Sequence, residues 1–300
     1  MDNQQELVKR VKYNVNKHLL DKVWSNEKKG LRKEVINFRY FSIVKASDLS
    51  KCLVDILEFK LLNPEVHHSK YLLEENIGNE FWIELGHAVT PVDCYIELFL
   101  KEMLTNETSK CYIDTKSSGT IEFTIRLKRI EFGGYYAEQQ PAKMYELAKL
   151  YKENGVKMFK NYPKFAHNYF NQAAKCLLTF YPFDDIEVIL ENSTLTCKDF
   201  EVLLENINLN ISASLIKEKR YEEVLHVLRY TNDQLKPSEK SIYRLASAYF
   251  ELKQYEKAKL TVEKCDFKKN KDLVQLWNKN KEFWKVEETK YSNMVKKMFG

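Results

Sequence analysis

The chain has 300 residues, of which 44% are hydrophobic and 13% aromatic, so it can bury one or two sizeable cores. Its net charge is only +5 because lysines are interspersed with acidic residues, which argues against nucleic acid as a partner. No apolar run approaches the ~18–20 residues of a membrane span, and the first residues lack the pattern of a secretion signal. We expect a protein of the cytoplasm, with the nucleus as a further compartment, and no membrane anchor.

Cysteine and histidine are arranged without the spacing of a metal site. The six cysteines stand singly, and His67-His68 is the only pair of adjacent histidines. Isolated thiols in a reducing compartment are mostly small buried hydrophobes, and adjacent side chains on an extended chain point to opposite sides. We therefore expect neither a bound metal nor a cofactor.

The first half of the chain reads as one helix followed by extended structure. Apolar residues recur at helical spacing over residues 4–23, and a solvated outer face explains the lysines there better than an anionic partner does. Segments rich in β-branched and aromatic residues then predict five strands, at residues 34–44, 52–61, 81–85, 110–113 and 120–130. A short helix is predicted at residues 93–103, between the third and fourth strands. Five strands with one helix make an α+β domain.

The order of these elements, together with a set of short motifs, resembles an FKBP prolyl-isomerase domain. The motifs are Gly30-Leu31, Leu85-Gly86, Asn106-Glu107, a helix that ends in Met103, and a closing strand at 121–132. The resemblance implies an antiparallel sheet that surrounds one helix. It also implies an apolar pocket that binds a proline ring and favours the twisted amide over the planar one.

Departures from the family pattern predict that this domain is degenerate and non-catalytic. The family's pocket floor is a tryptophan seven residues before the methionine, and Ile96 stands there. Residues 114–122 are too short for the family's hydrogen-bonding flap, and residues 63–68 do not match its paired aspartate and phenylalanine motif. An active isomerase stays open as the alternative, provided that a rearranged cavity forms from other aromatic residues: Phe81, Trp82, Tyr95, Tyr112 and Phe123.

The second half of the chain alternates helical segments with short polar breaks. Gly133-Gly134 and Gln139-Gln140-Pro141 predict a linker, after which small and apolar residues recur at helical spacing in three pairs of segments. The third pair shows the pattern best, through Ala246, Tyr255 and Ala258. The pattern resembles three tetratricopeptide repeats and implies an all-α superhelix.

Apolar residues also recur at helical spacing, among many lysines, over residues 271–299. The first part of this segment predicts a long helix that caps the repeat stack by covering its last apolar face. The end of the segment, from Val295 to Phe299, is basic and amphipathic. A calmodulin-like partner therefore stays open as an alternative to capping.

Four residues match the positions at which tetratricopeptide co-chaperones hold the C-terminal carboxylates of a heat-shock chaperone peptide. Residue by residue, the resemblance assigns Lys152 to the first repeat, Asn210 to the second, and Lys240 and Arg244 to the third. The fifth position, an asparagine of the first repeat in the family, is Val156. Lysine and arginine suit a carboxylate because they supply a point charge and a planar fork of donors.

An FKBP-like domain followed by three repeats and a long last helix resembles the large immunophilins, which implies a non-catalytic co-chaperone or adaptor here. The predicted boundaries are residues 1–27 for the N-terminal helix, 28–132 for the degenerate domain, 133–142 for the linker and 143–300 for the repeats and last helix. Residues 24–36, the short flap and the overall length resemble a divergent branch that acts in the circadian clock. That likeness implies a casein kinase I family kinase as client. A branch that acts in germline small-RNA silencing stays open.

Overall fold

The computed structural model describes residues 22–38, 44–60, 68–115, 119–186, 194–234 and 237–299. These residues form two compact units, and the chain passes from the first to the second between Gln139 and Gln140. The first unit is an antiparallel sheet packed on a helix, and the second is built from helices, which confirms the predicted fold class. No helix in the described ranges is long and apolar enough to cross a bilayer.

The first unit contains six strands and one α-helix among its described residues. The strands are β1 (Val23–Asn26), β2 (Leu31–Phe38), β3 (Lys51–Lys60), β4 (Glu80–Glu84), β5 (Glu107–Asp114) and β6 (Thr120–Glu131), and the helix is α1 (Pro91–Lys101). The strands lie in the order β1-β2-β5-β6-β3-β4, and all neighbours are antiparallel.

Strand β6 shows why the sheet packs on one side. Ile121, Phe123, Ile125 and Leu127 alternate along the strand, and each of them is at most 1% exposed. The ring of Phe123 meets that of Phe99 in α1 edge to face, with centroids 5.8 Å apart. The predicted alternation therefore places one apolar face of the sheet against the helix.

Helix α1 begins where the sequence carries helix-start signals. The hydroxyl of Thr90 accepts a hydrogen bond from the backbone N–H of Asp93 at 3.2 Å, and Pro91 occupies the first helical position. The helix buries Ile96 completely in the core of the unit. The helix predicted at residues 93–103 is confirmed, with its start two residues earlier.

The N-terminal prediction is wrong at its C-terminal end. Residues 1–21 lie outside the described ranges, and Val23, predicted to end a helix, begins strand β1. This strand pairs with β2, and the ring of Trp24 contacts that of Phe99 with centroids 5.8 Å apart. A domain boundary at residue 27 therefore falls between two paired strands of one sheet.

The start of the predicted linker belongs to the first unit. The hydroxyl of Ser47 donates a hydrogen bond to the carbonyl of Gly134 at 3.3 Å. A Cβ at Gly133 would lie 1.9 Å from the carbonyl oxygen of Leu49, so only glycine fits this close approach. The first helix of the second unit begins at Pro141.

The second unit contains three helix pairs and a long last helix among its described residues. The helices are α2 (Pro141–Phe159), α3 (Pro163–Leu178), α4 (Cys197–Lys217), α5 (Tyr221–Gln234), α6 (Glu239–Glu251), α7 (Tyr255–Val262) and α8 (Lys271–Phe299). Each pair corresponds to one predicted repeat. Helix α8 buries Leu273 beside Ile242 of α6 and Val262 of α7, as a capping helix does.

The turns inside the second and third pairs share one backbone conformation. Lys219 and Lys253 both adopt a left-handed φ of 59°. They are 34 positions apart, which is the period of the tetratricopeptide repeat. The first pair turns without this conformation and restarts at Pro163 instead.

The first pair packs closely because a glycine of α2 faces an aromatic ring of α3. A Cβ at Gly155 would lie 2.5 Å from Cε1 of Phe170, so no larger residue fits without a shift of the ring. Ala148 and Ala166 are completely buried at the same pair. Small residues thus set the distance between these helices, as their spacing in the sequence predicts.

Three of the six cysteines are completely buried, Cys52 and Cys111 in the first unit and Cys176 in the second. Burial raises the pKa of the Cys52 thiol to about 12, and it also raises the pKa of Cys111. The prediction that the thiols are small buried hydrophobes is confirmed for these three. The other three cysteines are partly exposed.

Candidate functional site

Helices α2, α4 and α6, the first helices of the three pairs, carry the four residues of the predicted carboxylate clamp. Lys152 lies on α2, Asn210 on α4, and Lys240 and Arg244 one turn apart on α6. Lys240 is exposed, and the other three residues are half-buried. Helix α4 contacts both α2 and α6, so it is the shared neighbour of the two helices that carry the cations.

The structure joins Arg244 to α4 beside Asn210. Its Nη1 donates to the carbonyl of Leu209 and lies 3.4 Å from Oγ of Ser212. Ser212 donates its own hydroxyl proton to the same carbonyl at 2.7 Å. Burial lowers the pKa of Arg244, yet a guanidinium stays charged at any physiological pH. The side chain is thus held in one place, with further N–H groups left to receive a ligand.

A second contact joins one side of α2 to one side of α4. Lys217 at the end of α4 donates to the carbonyl of Phe159 at 3.2 Å, and its ammonium lies 4.1 Å from the centroid of that ring. Phe159 stands seven residues after Lys152, and Lys217 seven after Asn210, so each pair lies on one side of its helix. The side of α2 that carries Lys152 therefore adjoins the side of α4 that carries Asn210.

Lys217 and Ser212 were not assigned to the site from the sequence. The seven-residue spacing from Asn210 is a signal for Lys217, although many surface lysines share such a spacing. Ser212 stands where the repeat pattern has glycine. Its contact with Arg244 depends on how α4 and α6 meet, which no local pattern encodes.

Val156 occupies the clamp position at which the family has asparagine, and its side chain is 54% exposed. It follows Lys152 by four residues, so both lie on the same side of α2. Of the three residues between them, Asn154 and Gly155 are buried, whereas Glu153 is exposed. The site therefore presents an apolar surface next to a lysine where an amide would donate a hydrogen bond.

The charge of the site is positive. In the described parts of the chain no carboxylate pairs with Lys152, Lys240 or Arg244. A cationic surface of this kind suits a carboxylate ligand, because the guanidinium supplies directed donors and the lysines supply charge. The described residues contain no cluster of three or more side chains that could hold a metal ion.

Ile96 stands at the position where the FKBP resemblance expects the aromatic floor of an isomerase pocket. Ile96 is completely buried in the core, so this position lines no open pocket. Strands β5 and β6 pair up to Asp114 opposite Thr120, and the N–H of Thr115 donates to the carbonyl of Gly119 at 3.1 Å. The hairpin therefore closes directly after the paired strands, with five residues between them.

The aromatic residues of the alternative isomerase reading do not assemble one cavity. Phe123 is buried in the core, whereas Trp82 is 42% exposed and lies 5.0 Å from the guanidinium of Arg129. Tyr112 faces the side of β5 opposite to its buried neighbours and lies 5.7 Å from the guanidinium of Arg32. The sheet alternation places Trp82 and Tyr112 on the face opposite to Phe123, whereas Phe81 and Tyr95 pack against the same core as Phe123, so the five rings do not share one pocket.

Two buried carboxylates of α1 hold the neighbouring loops. Glu97 accepts hydrogen bonds from the hydroxyl of Tyr71 at 3.0 Å and the N–H of Gly86 at 2.7 Å. Asp93 accepts from the N–H of Lys70 at 3.1 Å. Burial raises the pKa of Glu97, and the two hydrogen bonds oppose that shift. Both carboxylates are fully used inside the unit, so they serve its structure.

Comparison with known proteins places both units in one family. Residues 24–132 match the family model described as BDBT FKBP like N-terminal, and residues 140–226 match the one described as Bride of doubletime-like, TPR domain. The Drosophila melanogaster protein Bride of doubletime is 34% identical over 281 residues, which cover 92% of this chain and 97% of that protein. The chain belongs to the Bride of doubletime family.

A solved structure with a similar sequence supports the fold. The crystal structure of residues 1–211 of CG17282 is 34% identical, covers 67% of this chain and 96% of its own, and has a TM-score of 0.58. The Bride of doubletime model for the first unit starts at residue 24, so it includes three of the four residues of strand β1.

The Bride of doubletime repeat model covers two of the four candidate clamp residues. It ends at residue 226, within α5, so Lys152 and Asn210 lie inside the matched region. Lys240 and Arg244 lie beyond it. Their assignment rests on the third helix pair and on the contact of Arg244 with α4.

Proposed function

We propose that this protein is a non-catalytic adaptor whose helical unit binds the C-terminal carboxylates of an acidic peptide, such as the terminus of a heat-shock chaperone. One observation carries the proposal: Arg244 is anchored on α4 at Leu209, next to Asn210 in the chain, while Lys152 and Lys240 lie on the two helices that contact α4. Membership of the Bride of doubletime family supports the adaptor role, since the family joins an FKBP-like domain to repeats.

The chemistry of the ligand follows from the donors. A terminal carboxylate has two oxygens in one plane, and these match the remaining N–H groups of Arg244 together with the amide of Asn210. Lys152 and Lys240 neutralise the second charge of a terminal aspartate or an adjacent acidic side chain. The exposed Val156 favours a peptide that places an apolar side chain, instead of a main-chain acceptor, at that point.

Calorimetric titration of the full chain with a peptide that ends in Met-Glu-Glu-Val-Asp tests this proposal. We expect micromolar binding that weakens with salt and disappears when the peptide terminus is amidated. Lys240→Ala should weaken binding roughly 10-fold or more, because a hydrogen bond to a charged group is lost. Lys164→Ala, an exposed lysine on α3, is the matched control and should bind like the parent chain. Equal binding of the amidated peptide would contradict the carboxylate clamp.

The absence of isomerase activity is part of the same proposal. The buried Ile96, the direct β5–β6 hairpin and the separated aromatic rings support it. We expect no turnover of a proline-containing peptide above the uncatalysed rate. Turnover that Phe123→Ala abolishes in a chain that remains folded would overturn this part.

Kinship with Bride of doubletime supports a casein kinase I family kinase as the client and a role in the circadian clock. The same kinship favours the clock branch over the germline branch of the immunophilins. Binding of the purified kinase domain to the immobilised full chain is the direct measurement. Its failure would remove the kinase from the proposal and leave the peptide clamp, which has a separate test, in place.

A further inference from the structure

Two serines of α4 are completely buried and make matching bonds inside their own helix. The hydroxyl of Ser212 donates to the carbonyl of Leu209 at 2.7 Å, and that of Ser214 donates to the carbonyl of Ile211 at 2.7 Å. A hydroxyl has a single proton, so each oxygen then presents only lone pairs to its surroundings. Each serine can therefore accept a hydrogen bond from a neighbouring helix but has no proton left to donate.

The two serines face different neighbours of α4. Oγ of Ser214 lies 2.9 Å from Nδ1 of His167 in α3, whereas Oγ of Ser212 lies 3.4 Å from Nη1 of Arg244 in α6. Helix α4 packs against both α3 and α6. The two hydroxyls are thus alike in burial and in their bond to α4, but only Ser212 contacts a candidate clamp residue.

Ser212, Leu209 and Arg244 form a closed cluster of polar groups. Nη1 of Arg244 donates to the carbonyl of Leu209, which also accepts from the hydroxyl of Ser212. A hydroxyl that donates to a carbonyl becomes a stronger acceptor itself. Ser212 has no exposed surface, so water cannot take the place of Arg244 as the donor to its oxygen. The cluster therefore holds Nη1 more firmly than the carbonyl alone would.

The anchored end of the guanidinium determines which edge is left for a ligand. Among the described residues, Arg244 donates only through Nη1. Nε and Nη2 share one edge of the guanidinium plane, and their N–H bonds point the same way along it. This edge can donate to both oxygens of one carboxylate at once.

We propose that Ser212 is a positioning residue of the candidate clamp, which holds Arg244 so that Nε and Nη2 together receive the peptide carboxylate. This inference rests on the proposed peptide binding. Glycine, which the repeat pattern has at this position, would leave Nη1 with the carbonyl of Leu209 as its acceptor. A side chain that is fixed before the ligand arrives does not lose its conformational freedom on binding, so the affinity is higher.

Calorimetric titration of two matched variants tests the positioning role. Ser212→Ala and Ser214→Ala each remove one buried hydroxyl from α4 and make the same change in helix propensity. We expect Ser212→Ala to weaken binding of a peptide that ends in Met-Glu-Glu-Val-Asp by about 3- to 10-fold. Ser214→Ala should bind like the parent chain, although both variants should melt at a lower temperature. Equal affinities of the two variants would overturn the proposal.

Nuclear magnetic resonance of the Arg244 side chain tests the positioning without any peptide. The Nε–Hε signal is assigned by its loss in Arg244→Lys. We expect an ordered Nε–Hε bond in the free parent chain and in Ser214→Ala, and loss of that order in Ser212→Ala. An Arg244 side chain that stays equally ordered in Ser212→Ala would overturn the positioning role.

Addition of the peptide to the same samples tests the edge that receives the carboxylate. The Hε signal of the parent chain should move downfield with the free-acid peptide and stay in place with the amidated one. Binding of the free-acid peptide without a shift of this signal would show that the carboxylate lies elsewhere, and would refute the proposed edge. If Ser212→Ala releases Arg244 but the parent chain binds no peptide, the positioning of Arg244 is supported and the proposed peptide binding fails.

Discussion

The two units of this protein use charge in opposite ways. Among the described residues, every charged side chain that is buried belongs to the first unit: Lys33, Asp55, Asp93, Glu97 and Glu107. The buried polar residues of the second unit are all uncharged. Its cations are exposed or half-buried, and Lys152 and Lys240 have no carboxylate partner within the described ranges. The first unit therefore uses buried charge to hold its own loops, whereas the second unit keeps its charged side chains out of its core.

Lys33 and Glu107 show the first use most clearly. The ammonium of Lys33 contacts the carboxylate of Glu107 and donates to the carbonyl of Glu102 at 3.2 Å. The same carboxylate accepts from the hydroxyl of Ser109 at 2.6 Å and the N–H of Leu104 at 2.9 Å. An ion pair whose other hydrogen-bonding atoms also have partners tolerates burial. The loss of either residue, however, leaves the other charge buried without a counter-charge.

The largest expected effect comes from breaking that pair. Lys33→Met should lower the free energy of unfolding of the first unit by about 3–5 kcal/mol, because Glu107 stays buried without its counter-charge. Hydrogen exchange of the β2 and β5 amides measures the unit directly.

Two further variants make that prediction specific. Lys33→Met combined with Glu107→Gln should cost much less than Lys33→Met alone, since the glutamine can still accept from Ser109 and Leu104. Lys110→Met removes an exposed partner of Glu122 on the same sheet and should change little. Equal losses at both lysines would refute the contrast between buried and surface charge.

The second largest effect concerns the second unit, where small residues allow two helices to pack closely. Gly155→Ala should destabilise this unit by about 1–3 kcal/mol, because the new methyl group overlaps the ring of Phe170. Helix propensity alone predicts the opposite sign, a gain of up to about 1 kcal/mol. Thermal unfolding of the parent and variant chains distinguishes a loss of stability through the clash from a gain through helix propensity. Restored stability in Gly155→Ala with Phe170→Leu would identify the clash as the cause.

A third prediction uses pH to sharpen the comparison. Because burial raises the pKa of Glu97 in the folded state, the folded chain holds this proton more tightly than the unfolded chain. Its contribution to stability is therefore largest at low pH and is lost as pH rises from about 4.3 through the folded pKa. Glu97→Gln should remove this slope from the unfolding free energy of the first unit. An unchanged pH profile in the variant would show that Glu97 titrates normally.

The smallest effect on stability is expected at the clamp. Lys240→Ala should change the unfolding free energy by no more than about 0.5 kcal/mol, since this lysine is exposed. Arg244→Ala should cost about 1 kcal/mol, because its guanidinium donates to the carbonyl of Leu209. Comparison of melting temperatures with peptide affinities distinguishes a role in the fold from a role in peptide binding. A large loss of stability in Lys240→Ala would mean that this residue supports the fold.

Periodic elements were predictable from the sequence, and long-range partners were not. Strand β6 and the helix pairs carry alternation or helical spacing over ten residues or more, so local pattern suffices. Strand β1 has four residues, and it exists because it pairs with β2, so the preceding helical pattern masked it. The pairing of Lys33 with Glu107 joins residues 74 positions apart, which no composition indicates.

The candidate site was also predictable only in part from the sequence. The repeat register places Lys152, Asn210, Lys240 and Arg244 on three successive first helices, and the structure puts them there. The anchor of Arg244 on Leu209 and Ser212 depends on the angle and distance between α4 and α6, which the sequence does not state. That anchor makes Arg244 a structural residue as well as a candidate ligand-binding one.

The buried cysteines give each unit its own chemical reporter. Cys52 and Cys111 lie in the core of the first unit and Cys176 in that of the second, all with no exposed surface. A thiol reagent can modify them only when the surrounding unit opens. Pulsed alkylation followed by mass spectrometry of the unmodified chain would thus read the opening free energy of each unit in one sample. The protein can be assayed for unit-by-unit unfolding without any introduced label.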